Sequence, residues 1–177
     1  MRIACLTLLL GAIQIPQGSD CDALEYRRLD FWVGKWDVFY EDGRMAGTSE
    51  VQKTLQGRVI MKNGTGIDGF EGKSFNLYDR VRKRWIQKWV DSRGQLIEFQ
   101  GAWKADTLEY IGRFSSNGQE VLASMAFTPH ARGSFKQVWR KSADGGKTWA
   151  VEFTGICKRA EPEAFACQDS VGLRAGE

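Results

Sequence analysis

The chain has 177 residues, of which 42% are hydrophobic, so it is long and apolar enough for one domain with a buried core, and an intrinsically disordered protein is excluded. The formal net charge of +3 is too small to favour a nucleic-acid partner, and none is predicted. The 7 Trp, 10 Phe and 20 Gly against only 3 Pro favour paired β-strands, because proline cannot donate to a sheet ladder.

Residues 1–20 have the pattern of a secretory signal peptide. Arg2 precedes an apolar run over residues 3–15 that only Thr7 and Gln14 interrupt. This run is too short to span a bilayer and fits the apolar middle of a cleaved signal. We therefore predict export to the periplasm or outside the cell, with no integral membrane segment; an N-terminal apolar helix that is retained is the alternative.

Three cysteines remain after such a cleavage, at Cys21, Cys157 and Cys167. An exported protein permits a disulfide, and three thiols allow one bridge with one thiol left over. Cys21 and Cys167 both flank the predicted barrel, so we predict a bridge between them, with Cys157–Cys167 as the alternative. Residues 161–177 are polar and are predicted to form a C-terminal tail.

Residues 21–160 are predicted to form one all-β domain. A short helix is expected over residues 22–30, because Asp22 can cap it and Glu25 follows three positions later. Short alternating segments then follow, separated by turn signals such as Asp42-Gly43 and Asn117-Gly118. The connections are too short for crossover helices, so neighbouring strands must be antiparallel, and an up-and-down barrel of about ten strands removes the exposed edges. The predicted strands are residues 35–41, 45–55, 59–65, 73–79, 85–91, 95–103, 108–114, 120–128, 135–141 and 149–157.

Four segments carry a resemblance to a known family. Gly34-Lys35-Trp36, directly after the predicted helix, resembles the G-x-W signature that opens the first strand of lipocalins. With residues 72–79, 89–91 and 144–149, the chain resembles an uncharacterised bacterial family of lipocalin-like proteins of the calycin superfamily over about residues 22–160. The resemblance implies that Trp36 plugs the closed end of the barrel and that Lys158 or Arg159 packs over it. It implies a fold rather than an activity.

Residues 142–149 match the S-x-D-x-G-x-T-W pattern of an Asp-box. Asp144 can accept hydrogen bonds from backbone amides across the turn, and the glycines permit positive φ angles. We interpret this motif as a structural hairpin and not as evidence for a glycosidase.

The barrel interior is the best candidate for a functional site. Period-2 alternation puts Trp85, Gln87 and Trp89 on one face of their strand, and the strands at residues 73–79 and 135–141 repeat this mixture of rings, amides and hydroxyls. Apolar walls with a few polar groups are typical of small-molecule sites, although large rings can also simply fill a barrel. The predicted ligand-binding residues are Trp36, Asn76, Tyr78, Gln87, Trp89, Gln137 and Trp139.

These observations predict an extracytoplasmic protein that holds a small hydrophobic or amphipathic molecule in a β-barrel lumen. Two alternatives stay open: an enzyme of isomerase or hydrolase type with a buried carboxylate at Glu98 or Glu152, and a structural barrel with no ligand. We predict no metal and no cofactor, because His130 is the only histidine and follows Pro129 in an expected loop with no second ligand nearby.

Overall fold

The computed structural model describes residues 24–130 and 133–160, and these form a closed barrel of ten antiparallel strands. Each strand pairs with its neighbours in sequence, and the first pairs with the last, so the predicted all-β up-and-down barrel is confirmed. The predicted signal peptide, Cys21 and the whole predicted tail, with Cys167, lie outside the described residues. The strands are β1 (Gly34–Phe39), β2 (Met45–Thr54), β3 (Val59–Gly66), β4 (Glu71–Asp79), β5 (Arg84–Asp91), β6 (Leu96–Lys104), β7 (Thr107–Ser116), β8 (Gln119–His130), β9 (Ser134–Ser142) and β10 (Ala150–Arg159).

The segment before β1 differs from the single helix predicted over residues 22–30. Its described part, from residue 24, winds through successive i→i+3 turns and ends in a 3₁₀ helix at Asp30–Trp32. The amide of Trp32 donates to the carbonyl of Leu29 at 3.0 Å, and both side chains are fully buried. Tight turns suit this segment because they bring these apolar side chains onto one end of the barrel within a few residues.

Alternation along the strands decides which side chains face the lumen. In β4, Ser74 and Asn76 are buried while Phe75 between them is 49% exposed. In β5, Trp85, Gln87 and Trp89 are all buried, which confirms the face predicted to point inward. The antiparallel register then sets Asn76 opposite Gln87 across the β4–β5 pair.

Two departures from the sequence predictions concern candidate functional residues. β8 continues through Pro129 to His130, which pairs with Ser134, so His130 is an exposed strand residue rather than a loop residue. In β10 the register with β9 shifts between Val151 and Phe153. A bulge of this kind redirects the side chains beside it, and it brings Glu152 to the rim of the lumen.

The Asp-box residues form the predicted structural turn between β9 and β10. Asp144 accepts hydrogen bonds from the amide and hydroxyl of Thr148, at 2.9 and 2.6 Å, and from the hydroxyl of Ser142 at 2.7 Å. The indole of Trp149 donates to the carbonyl of Gly146 at 3.0 Å. These hydrogen bonds to the carboxylate hold the pKa of Asp144 well below its ordinary value.

Candidate functional site

One end of the barrel is closed by an aromatic plug, which we define as Trp32, Trp36, Phe127 and Phe135. Each of the four residues is at most 1% exposed, and the ring of Trp36 lies edge-on to that of Phe135 with centroids 4.8 Å apart. The indole nitrogen of Trp36 donates to the carbonyl of Trp32 at 2.8 Å, which joins β1 to the 3₁₀ helix. The plug therefore seals this end, and it leaves no space for a ligand beside Trp36.

A polar network, formed by Ser74, Asn76, Gln87 and Tyr110, crosses the middle of the lumen. The amide of Gln87 donates to Asn76 Oδ1 at 2.7 Å, and Asn76 Nδ2 donates to the hydroxyl of Ser74 at 3.0 Å. The hydroxyl of Tyr110 donates to the same Asn76 oxygen at 3.4 Å, and burial raises its pKa far above the ordinary value. Within the described residues only Gln87 Oε1 of this network lacks a hydrogen-bond partner, and the network forms a floor between the plug and the rest of the lumen.

Above the polar network the lumen opens into a cavity of about 550 Å³, located where β1, β3, β5, β7 and β9 end. We call this space the cavity. Its walls carry six aromatic rings, and the centroids of Trp89 and Trp139 lie 6.2 Å apart. The volume lies within the range of small-molecule sites, and the aromatic walls fit an apolar guest. The six rings are Tyr40, Phe70, Trp89, Phe114, Trp139 and Phe153.

Glycines make one wall of the cavity flat. Gly47, Gly66, Gly64 and Gly72 lie side by side on β2, β3 and β4, because Gly47 pairs with Gly66 and Gly64 pairs with Gly72. A Cβ atom at Gly72 would overlap the indole of Trp89, so glycine is what allows that ring to lie against the wall. The absence of side chains here creates much of the open volume.

Lys62 is the unexpected residue of this site. Its side chain is only 9% exposed, and its ammonium forms no ion pair or hydrogen bond with any described residue. The nearest aromatic partner is the ring of Trp89, 5.2 Å from Nζ to the centroid. Desolvation lowers the pKa of Lys62, and the electrostatic influence of Cys157 opposes this only in part.

The other charged groups around the cavity sit at its rim and have local partners. Asp91 accepts from the indole of Trp89 at 3.2 Å and from the amides of Arg93 and Gln95 at 3.0 and 3.1 Å. The remaining rim charges are Asp68, which accepts from the amide of Phe70 at 3.1 Å, the guanidinium of Arg93, which lies 4.9 Å from the centroid of the Phe70 ring, and the ion pair of Lys141 with Glu152 at 3.1 Å. Among the described residues, no carboxylate lies within 4.0 Å of Lys62, so the cationic group at the floor has no fixed counter-ion.

The structure brings together three of the seven residues predicted to bind a ligand. Trp89, Gln137 and Trp139 line the cavity. Asn76 and Gln87 lie below it in the polar network. The last two lie toward the closed end: Trp36 belongs to the plug, and Tyr78 packs edge-on against Tyr26 with centroids 6.1 Å apart.

Sequence reasoning overlooked Lys62, Phe114 and Phe153. Alternation alone could have flagged Lys62, because Ile60, Lys62 and Gly64 share one face of β3 and the two flanking residues are apolar or small. The same alternation could have flagged Phe153, because it shares one face of β10 with the buried residues Gly155 and Cys157 beyond the bulge.

The carboxylates proposed for an enzymatic alternative are separated by the barrel wall. Glu98 lies on the outer surface, 58% exposed at its side chain, in an ion pair with Lys88. Glu152 lies at the rim, 43% exposed and paired with Lys141. The two groups therefore do not form a buried acid–base pair.

Cys157 is the only cysteine in the described part of the chain. It is buried in the barrel interior with a free thiol, and burial raises its pKa to about 12. The predicted bridge between Cys21 and Cys167 falls on residues outside the described ranges and stays a prediction.

Over residues 24–130 and 133–160, no group of three or more His, Cys, Asp or Glu side chains is placed to hold a metal ion. Within the same ranges, no helix is long and apolar enough to cross a membrane. No protein-family model matches this chain, and the search of curated proteins returns no match.

Proposed function

We propose that this chain is an exported, lipocalin-like binding protein that holds a small, partly apolar molecule in the cavity. The observation that carries the proposal is the division of the barrel interior: one half is packed with side chains, whereas the other encloses about 550 Å³ between aromatic rings. A barrel that served only as a structural unit would not need an open, ring-lined space of this size, because side chains can fill the interior of a small barrel.

The lining supports a ligand of mixed polarity. Trp89, Trp139 and Phe114 offer apolar area, while Gln137 and Lys62 add an amide and an amine at the floor. Sites for small molecules have this composition, in which apolar walls supply affinity and a few polar groups fix orientation. Export is proposed from the apolar run at residues 3–15, and membership of the lipocalin-like family from the G-x-W motif.

A neutral, environment-sensitive dye tests the proposal. Nile red added to the purified protein is expected to bind at one molecule per chain, with a blue shift of its emission and quenching of tryptophan fluorescence from Trp89 and Trp139. Val38→Trp fills the cavity with an indole and is expected to abolish binding while the far-UV circular dichroism stays that of a folded barrel.

Lys73→Trp is the matched control, because it adds the same ring to the outer face of β4, where Lys73 is exposed. Nile red should bind this variant as it binds the wild type. Equal binding to all three proteins would place the dye on the outer surface and overturn the proposal, as would the absence of binding to the wild type.

A further inference from the structure

Two hydrogen-bond donors at the floor of the cavity lack acceptors. The ammonium of Lys62 has no hydrogen bond or ion pair with a described residue. The hydroxyl of Ser49, a residue 6% exposed that also lines the cavity, has no hydrogen-bond partner in the described part of the chain either. Buried polar groups are normally satisfied, so an unpartnered pair in a cavity indicates a missing acceptor.

The β2–β3 register places these two donors on one patch of wall. Lys62 extends over Gly64, so that a Cβ atom at Gly64 would lie 3.4 Å from Nζ. Gly64 is the register partner of Ser49, and the Cβ positions of directly opposed residues are about 5 Å apart. One ligand group with two acceptor atoms can therefore reach both donors.

The charges around Lys62 indicate the chemical nature of the ligand group that binds Lys62 and Ser49. Desolvated ammonium groups in proteins are usually paired with an anion, and Lys62 instead lies over the ring of Trp89. The rim carboxylates of Asp91 and Glu152 are held in contacts of their own, with Trp89 Nε1 and with Lys141. One ammonium and one hydroxyl match a monoanion with two oxygens.

We propose that the ligand is an amphipathic monocarboxylate, bound with its carboxylate on Lys62 and Ser49 and its apolar part between Trp89, Trp139 and Phe114. This inference rests on the proposed function and adds the chemical class of the ligand. Charge-assisted hydrogen bonds hold the carboxylate at the floor of the cavity, and the aromatic rings near the mouth contact the apolar part of the ligand.

Octanoate and octan-1-ol test the assignment, because they share one chain length and differ in the head group. Their affinities are measured by displacement of Nile red from the wild type and from the variants Lys62→Met, Ser49→Ala and Lys73→Met. Lys73→Met is the control, because it removes one positive charge from the outer face of β4. The measured quantity is the ratio of the octanoate affinity to the octanol affinity. In Lys62→Met this ratio is expected to fall about tenfold or more from its wild-type value, because a charge-assisted hydrogen bond is lost.

Ser49→Ala should lower the same ratio by a smaller factor, and Lys73→Met should leave it unchanged. An unchanged ratio in Lys62→Met, with both compounds still bound, would overturn the carboxylate assignment and leave the proposed function standing. Failure of both compounds and of Nile red to bind the wild type would instead overturn the proposed function itself. Lys62→Gln provides a second variant with the same expectation should Lys62→Met not fold.

Discussion

The guanidinium of Arg159 lies over the ring of Trp36, 4.2 Å from its centroid, and donates a hydrogen bond to the carbonyl of Val33 at 2.6 Å. A second guanidinium nitrogen donates to the carbonyl of Phe31 at 3.4 Å. The last strand thereby holds the chain that leads into the first strand. Gly34 is required for this arrangement, because a Cβ atom there would overlap Nη1 of Arg159.

Replacing Arg159 should weaken the closed end of the barrel. Arg159→Met removes a cation–π contact and two hydrogen bonds to backbone carbonyls, so we expect the free energy of unfolding to fall by about 1–2 kcal/mol in urea denaturation. Lys158→Met is the control, since Lys158 is exposed with its Nζ 5.0 Å from the centroid of the Phe39 ring. Equal losses in the two variants would refute the special role of Arg159.

Replacing Lys62 by a neutral side chain should stabilise the protein. Lys62→Met removes a desolvated amine without a counter-ion, so we expect the free energy of unfolding at pH 7 to rise by roughly 1–3 kcal/mol. The measurement is urea denaturation of both proteins, and a variant less stable than the wild type at pH 7 would contradict the interpretation of Lys62.

The same pair of proteins should differ in pH dependence. The pKa of Lys62 is lowered in the folded state from 10.5, so between the lowered value and 10.5 the unfolded chain binds more protons than the native chain. The stability of the wild type therefore rises with pH in that window, relative to the variant, because the native amine is already neutral there. If the difference in the free energy of unfolding between the two proteins stays constant across this pH window, Lys62 is not desolvated.

A methyl group at position 72 should disturb the aromatic wall. In Gly72→Ala the added Cβ would overlap the indole of Trp89, so the ring must move into the cavity. We expect a loss of about 1–3 kcal/mol in stability, together with weaker binding of Nile red. For the stability measurement, Gly64→Ala is the control on the neighbouring strand, because its Cβ would lie 3.4 Å or more from its nearest neighbours. Comparable effects in both variants would argue against the close fit between Gly72 and Trp89.

The Asp-box turn should stabilise the barrel only while Asp144 is ionised. Hydrogen bonds from Thr148 and Ser142 lower the pKa of Asp144 in the folded state. The carboxylate therefore contributes fully to the free energy of unfolding above 3.8, the pKa of Asp144 in the unfolded chain. This contribution is lost as the pH falls toward the lowered pKa of the folded state. Asp144→Asn should therefore melt at a lower temperature than the wild type at pH 7, and the gap should narrow below pH 3.8. Asp106→Asn, in a turn where the carboxylate accepts only a 3.4 Å bond from Thr107, serves as the control for thermal melting.

The barrel was predictable because strand alternation and turn residues are local signals. The inward face of Trp85, Gln87 and Trp89 follows from a two-residue period, and Asp42-Gly43 marks a hairpin without any knowledge of the rest of the chain. Arg159 was also foreseen, as one of two basic residues that the lipocalin resemblance placed over Trp36.

The cavity was only partly predictable because it depends on position along the barrel axis. Alternation identifies the inner face but not the height at which a side chain sits, so it did not separate Asn76 and Gln87, which bond to each other, from Trp89 and Trp139 at the mouth. Lysine is rarely buried, and sequence reasoning therefore named no candidate at Lys62.

The packed half of the barrel has a consequence for how this protein can change. Its plug and polar network form a buried core at one end of the barrel that contains none of the side chains lining the cavity. Residues such as Phe114 and Gln137 can then be exchanged, by natural variation or by design, to admit a different guest. The packed end then keeps the fold, while substitutions around the mouth change which molecule binds.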